Sequence, residues 1–576
     1  MFIRPCYKRK NGKRHAYWAL VESYRTERGP RQRVVSYLGQ LKEPQRLGLK
    51  QAACGNKQPA FKQLHLFDES NHPDPQWVEV DSANVRVENE IDFGGPWLAL
   101  QLIRALKLDT LFAEIMPQGR EDIPWSNMAL VLIICRLCNP SSELYIAEHY
   151  YRRTALPDLL GIPVGKVYDQ RLYRALDKLL PHKQTLEKHL KDRLGTLFDL
   201  KYDLLLYDVT STYFEGECRA NPMAQRGYSR DKRPDCKQVC IGLVVSKCGM
   251  PLGYEVFAGN RNDVKTWQTI VTTMESRYGK ADRIWCGDRG MMSHENLAFM
   301  QSENRKYIIG ASKASLKKFE RQLLQGDWQT IRDGLEVKLC PSPQGNQETY
   351  ILCRSRDRRE KEKAMHQRFE QRIETALEQL RSSCEKRRYK KEVIDRRVGS
   401  IMAKNSRTAG LFEVHVNQTD SGATLDWSKN ESWRAWAELN EGCYLLRTNI
   451  SDWSAEDLWQ AYIQLTDAEA AFRIQKSDLK VRPVWHQKED RVLAHIFVCF
   501  LAYVLWKTLD QMTRSAGLGD EPRRIFDELG TISLVDVILP TRQGVDICRR
   551  CIRRPTEHQA ILLSRLGLSI PSQMKS

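Results

Sequence analysis

The sequence predicts an α/β fold: one mixed β-sheet flanked by helices, interrupted by a β-rich insertion and preceded by a helical region and a small basic β unit. Three observations carry the prediction. Between residues 202 and 311 the chain reads strand, strand, strand, helix, strand, helix, strand. Helical periodicity dominates residues 93–200, and a further helical pair closes the pattern between residues 454 and 507. Residues 312–453, in between, have a character of their own: short strand-like pieces around a long charged helical stretch.

Taken in order, residues 1–55 alternate strand-like pieces (HAYWALVESYRT, QRVVSYLGQL) with Arg/Lys-rich turns and read as the basic β unit. Residues 56–92, polar and containing prolines, read as a linker. The apolar stripes of residues 93–200 describe a helical domain, which could also bind DNA ends, although core packing already accounts for its leucines.

The core's first part, residues 201–311, begins with the apolar run 204–207. This leads into Asp208 and the β-branched Val209, Thr210 and Thr212, the composition of a buried strand. A carboxylate there needs a cation or a metal, because an unpaired buried carboxylate is costly. Residues 238–245 and 252–257 read as a hairpin. Asp263 is the expected N-cap of a helix over 264–278. The strand RIWCG then ends at Asp288, Ser293 is placed to cap the next helix, and residues 306–311 form a last buried strand. This order is that of a ribonuclease-H-like sheet, with one carboxylate on its first strand and another at the end of its fourth. A third carboxylate should come from a helix packed on that sheet.

In the insertion, residues 335–339, 349–353, 411–416 and 443–448 read as strands. Residues 359–397 read as a solvated helix or helical hairpin, with apolar positions at Met365, Phe369, Ile373, Leu377 and Leu380. The core's second part, residues 454–507, opens with a capping pattern at Ser454 to Asp457, and Thr466 to Glu469 fits another. On one continuous helix Tyr462, Glu469, Arg473 and Lys476 fall in a band ~60° wide. Beside it Ala461, Leu465, Ala468, Phe472 and Leu479 form the face that docks on a core. A carboxylate is thereby set at the edge of a buried surface, with two cations one and two turns beyond it. That suits a divalent metal beside a phosphate, although an ordinary Glu469–Arg473 pair has the same spacing. Residues 508–576 read as a basic, helical C-terminal tail.

Composition narrows the function classes. With 90 Lys+Arg against 72 Asp+Glu the chain carries +18, the balance of a protein that meets a polyanion, most commonly nucleic acid. No apolar run reaches the ~18 residues of a membrane span, and the N-terminal segment lacks the apolar stretch of a secretory signal. Sixteen cysteines without framework spacing indicate reduced thiols in a cytoplasm. Neither C-x-x-C pair, Cys135/Cys138 nor Cys548/Cys551, has the partners of a four-ligand zinc site. His294, His486 and His495 read as satisfied core or surface groups.

Several motifs together, YDVTSTYFEG, GNRNDVKT, GDRGMMS, LRTN, AFRIQKSDLKVRPVWH and AHIFVCFLAYVL, resemble the DDE transposases of bacterial insertion sequences that bear a Tyr-Arg-Glu-Lys signature. Tyr462, Glu469 and Lys476 meet the signature spacing, while Leu465 stands where the family has its arginine. Arg473, one turn after the glutamate, is the cation expected to replace it. The resemblance implies that Asp208, Asp288 and Glu469 form a metal triad holding two Mg²⁺ ions, with Mn²⁺ as a substitute. Tyr462 and Lys476 are then expected to hold the element end. It implies cut-and-paste strand cleavage and strand transfer on double-stranded DNA, by a homodimer in a synaptic complex, away from membranes, in the cytoplasm at the nucleoid. The competing expectations are a ribonuclease-H-like nuclease without strand transfer, and a catalytically silent DNA-binding protein.

Overall fold

The computed structural model describes residues 2–10, 13–26, 29–39 and 79–571, apart from 346, 421 and 543. Strands β1 (Phe2–Lys10), β2 (Lys13–Thr26) and β3 (Gly29–Gly39) form an antiparallel sheet in the order β1-β2-β3. The expected linker lies outside the described residues as far as residue 78, and its last part is a strand, β4 (Arg86–Asp92).

Helices α1 (Gly94–Ala105), α2 (Leu108–Ile115), α3 (Trp125–Cys138), α4 (Asp169–Leu179) and α5 (Lys183–Phe198) follow. Strands β5 (Leu204–Tyr213), β6 (Gln238–Ser246) and β7 (Pro251–Ala258) lead to helix α6 (Val264–Tyr278), β8 (Ile284–Gly287), α7 (His294–Ser302) and β9 (Lys306–Gly310). This is the strand and helix order that the apolar pattern predicts. Ser293 caps α7 by accepting from the Asn296 N–H at 3.1 Å. Asp263 stands at the start of α6 but makes no cap hydrogen bond, because its carboxylate is taken by Arg230.

The following segment holds β10 (Gln329–Arg332), β11 (Leu335–Pro341), β12 (Thr349–Ser355), α8 (Arg356–Lys386), α9 (Lys391–Lys404), the hairpin β13 (Phe412–Thr419) and β14 (Gly422–Lys429), α10 (Glu431–Asn440) and β15 (Cys443–Thr448). Four of its strands are not a separate sheet. The main sheet has nine strands in the order β10-β11-β12-β15-β9-β8-β5-β6-β7, so β15 pairs antiparallel with β9 and carries the core sheet outward. Only β13 and β14 stand apart, packed with α8 and α9 around Ile373, Leu377, Ile394 and Leu425. Ile373, Leu377 and Leu380 of the charged stretch are therefore the seam of a helical hairpin, whereas Met365 and Phe369 lie outside that core.

Helix α11 (Ala455–Ile463) is capped by Ser454, which accepts from the Asp457 N–H at 3.1 Å. The expected single helix breaks at Gln464, and α12 (Leu465–Ser477) starts there without a side-chain cap. Thr466 does not form the expected cap; its hydroxyl donates to the Ile463 carbonyl at 2.8 Å.

Helix α13 (Glu489–Ser515) is apolar all round and long enough to cross a membrane, but 94% of its apolar window is buried inside the protein. It packs against α3, α4 and α1, joining the helical domain to the sheet. Each large apolar side chain it buries contributes roughly 1.5–3 kcal/mol.

The tail is helical only in part. Between α14 (Pro522–Gly530) and α15 (Glu557–Leu566) lie β16 (Ser533–Pro540) and β17 (Asp546–Ile552), and β16 pairs with both β17 and β4. The β-branched Val535, Val537 and Ile538 suit that strand, and the pairing draws the expected linker end onto the C-terminal segment.

Candidate active site

Parallel register places Asp208 beside Asp288. Tyr207 pairs with Gly287 across β5 and β8, so the next residues, Asp208 and Asp288, leave adjacent strands lying ~4.8 Å apart. Asp208 is half-buried, and its Oδ1 accepts from the Val209 N–H at 2.7 Å. Asp288 is exposed at the strand end and caps the turn after it, accepting from the Arg289 N–H at 2.6 Å.

Glu469 comes to the same place on α12. That helix buries Leu465, Ala468, Ala471 and Phe472, packs on β5 and β6, and leaves Glu469 exposed. The electrostatics of Asp208 register the convergence. Burial pushes its carboxyl up to about 6; the Val209 N–H and Arg230 pull it back, while the charges of Asp288 and Glu469 push it further. Three carboxylates gathered in this way present an all-oxygen donor set that fits a hard divalent cation.

Tyr462 faces the Asp288 side. A Cβ on Gly310 would lie 2.7 Å from the Tyr462 hydroxyl, so the ring reaches across the end of β9. Burial, then the charge of Asp288, keeps that hydroxyl protonated and so able to donate.

Lys476 lies elsewhere. Its ammonium donates to Asp231 Oδ1 at 2.7 Å, and Arg482 is bound to the same oxygen. Burial lowers the Lys476 ammonium from its ordinary value, Asp231 opposes this, and Arg482 and Arg230 add to the lowering. Arg473 is exposed one turn beyond Glu469, whereas Leu465 is 8% exposed within the core. The predicted stripe is thus shared between two groups: Tyr462 on α11 and Glu469 on α12 attend the aspartates, while Lys476, two turns past Glu469 on α12, joins a second cluster with Asp231 and Arg482.

Residues 199–505 match the family model described as a transposase DDE domain, and residues 3–63 match that of the IS1634 family transposase N-terminal domain. The chain belongs to the DDE transposase family. Among solved structures, the piggyBac transposase synaptic complex with hairpin DNA is similar at 8% identity and a TM-score of 0.34, over 79% of this chain and 83% of that one. No curated protein matches the chain. The protein is a DNA transposase, and its family implies metal-dependent DNA cleavage and strand transfer.

Several residues at the transposase's candidate site carry no signal in the apolar pattern. The loop between β5 and β6 brings Arg230 to Asp208 and Asp231 to Lys476. Its backbone is pinned where the Arg230 N–H donates to Ser211 Oγ at 3.3 Å, and its guanidinium is fixed by Asp263. Only the run of charges SRDKRPDC marked that loop.

Two of the histidines set aside on sequence grounds, His486 and His495, do form a cluster. Ligand atoms of Glu143, His486 and His495 lie within 4.8 Å of one another, and His486 Nε2 is 3.3 Å from Glu143. His495 has neither ring nitrogen to spare. Arg136 can only donate to its Nδ1 (3.4 Å), so Nε2 carries the proton and faces the Val481 carbonyl at 3.3 Å. Burial, first, and Arg136 hold His495 well below its ordinary range, hence neutral. In the transposase this cluster joins Glu143 and Arg136 of the helical domain to His495 on α13 and to His486 in the segment before it. Cys548 and Cys551 stand three residues apart on β17, so their side chains leave opposite faces of the strand.

Proposed function

We propose that Asp208, Asp288 and Glu469 are the catalytic triad and hold two Mg²⁺ ions, with Mn²⁺ able to replace them. Bound there, such ions would polarise the attacking water or 3′-hydroxyl and stabilise the leaving oxygen of an in-line displacement. The single observation that carries the reading is the parallel register of β5 and β8, which sets Asp208 and Asp288 side by side, with the helix that carries Glu469 packed on β5. A sheet order of β9-β8-β5-β6-β7, with β8 and β9 parallel to β5 and β6 antiparallel to it, supports a ribonuclease-H-like core.

The protein's own groups have separate tasks around that centre. Tyr462 donates its hydroxyl to a phosphate oxygen beside Asp288. Arg473, one turn past Glu469, takes the place of the signature arginine that Leu465 replaces. Lys476 and Arg482 grip the DNA backbone on the far side of Arg230. Residues 1–55 and 93–200 recognise the element ends, 312–453 is the insertion domain, and two copies pair the ends in a synaptic homodimer acting on nucleoid DNA in the cytoplasm.

Asp288→Ala tests the triad. It should abolish cleavage of a labelled element end while leaving the gel shift intact; retained cleavage overturns the assignment. Incubating cut ends with plasmid tests strand transfer, which yields joined products only if the freed 3′-hydroxyl attacks target DNA at this centre.

A further inference from the structure

Helix α8 sorts its charges by face. On one side Glu362 binds Lys313 (2.6 Å) and the Gly442 N–H (2.9 Å), while Glu370 binds Lys429 (2.7 Å) and Arg434 (3.0 Å); Glu374 also binds Lys429. These three acids are thereby neutralised against β14, α10, the turn before β15 and the segment after β9. On another face Lys361, Arg368 and Arg372 fall at i, i+7 and i+11, one stripe of the helix, and all are exposed.

That stripe lines a groove of about 450 Å³ shared with Phe369, Lys404 and Arg407, and no acidic residue lines it. Among the described residues Lys361, Arg368 and Lys404 have no hydrogen-bond or ion-pair partner. Arg372 lies only over the Phe369 ring, 5.8 Å from its centroid. Five cations held together without counter-charge repel one another, an arrangement that a polyanion relieves.

The groove also leads somewhere. Met365 and Arg407 line it and line a second hollow of about 540 Å³ that ends at Arg289 and Lys313. Arg289 is the residue after Asp288. The hollow, lined also by Glu362, His366, Trp433 and Trp436, connects the cationic groove of α8 to Arg289 beside the aspartates.

We propose that this groove binds the phosphate backbone of duplex DNA flanking the reacting bond, a contact that deepens the reading of the preceding subsection. The stripe from Lys361 to Arg372 spans roughly 16 Å. A duplex of that length carries about ten phosphates, enough for the groove's cations to engage those on the facing side. The contact is to phosphates and sugars, so it is indifferent to base sequence.

The test is the salt dependence of binding to a fluorescent random-sequence duplex, without divalent metal, so that the outcome does not depend on the triad. Lys361→Glu, Arg368→Glu and Arg372→Glu together should lower the slope of log K against log salt by about 2 to 3. Affinity at low salt should fall at least ~10-fold. The equal charge change Lys386→Glu, Arg387→Glu and Arg388→Glu, at the far end of the hairpin, should leave the slope near the parent value. The triple glutamine variant at 361, 368 and 372, checked by circular dichroism, should repeat the loss if the reversal variant misfolds. An unchanged slope in the groove variants, or an equal loss in the distal one, overturns the proposal. Failure of the triad alone would instead show as cleavage by Asp288→Ala with this binding result intact.

Discussion

The Asp231 carboxylate accepts a 2.7 Å hydrogen bond from the Lys476 ammonium across 245 residues of sequence, and the same Oδ1 also binds Arg482. The Asp231 side chain is 2% exposed, and its Oδ2 is buried without a protein partner. One acid therefore fixes two cations, one on α12 and one in the segment after it. Asp231→Ala leaves those cations facing each other and Arg230. Removing one member of a buried pair typically costs about 3 kcal/mol. The expected outcome is a lower urea midpoint together with slower end cleavage. An unchanged midpoint would show that Asp231 does not hold the pair.

The contrast between Asp208 and Asp231 shows what the sequence made readable. Asp208 and Asp288 were legible because each ends an apolar strand run, and Ser293 and Ser454 because caps have local signatures. The apolar face of α11 and α12 was equally plain: Ala461, Leu465, Ala468, Phe472 and Leu479 are all buried. The break at Gln464 was not. Residues 462–466 contain neither Gly nor Pro, and the apolar spacing runs through them unchanged, so tertiary docking decides the bend. Asp231 and Arg230 sit in a loop with no periodicity, and their partners are fixed only by the fold. Strand pairings such as β4 with β16, or β15 with β9, join residues far apart in the chain, and composition does not specify an edge.

Asp208 gives a pH-dependent expectation. Its carboxyl is raised to about 6 in the fold, against an ordinary 3.8. The folded, metal-free protein therefore holds the proton more tightly than the unfolded chain. This contribution to stability is present below about pH 4 and is lost as pH rises through about 6. Asp208→Asn removes the group, so the metal-free variant should melt at or above the parent temperature at neutral pH. It should also lose the upward shift that Mg²⁺ or Mn²⁺ produces in the parent. A parent-like metal shift in Asp208→Asn would contradict the assignment of this residue.

Gly287 sets the position of Asp288. A Cβ there would lie 2.3 Å from Trp267 Cζ3, and Trp267 is wholly buried between Tyr207 and Trp285, with ring centroids 5.7 and 6.3 Å away. Gly287→Ala must move the ring or the strand end. Overpacking of this kind costs about 1–3 kcal/mol. Because Asp288 is the next residue, cleavage should fall by more than the stability loss explains, with DNA binding retained. Trp267→Phe in the same chain frees space and should restore part of the activity; no recovery would place the defect elsewhere.

Glu143 ties the helical domain to His486, in the segment just before α13. Burial pushes its carboxyl up, but the hydrogen bond and charge of His486, with Arg136 behind it, hold it down at about 2. A depressed carboxyl contributes stability that is full above its ordinary 4.5 and is lost as pH falls towards 2. Glu143→Gln keeps the shape and removes the charge, so at neutral pH it should cost about 3 kcal/mol. The gap from the parent should narrow steadily below about pH 4, as the parent's own carboxyl takes up its proton. Urea titrations of both proteins at neutral and acid pH read this directly. A gap that stays constant with pH would mean that packing, rather than the charge on Glu143, holds the helical domain to the core.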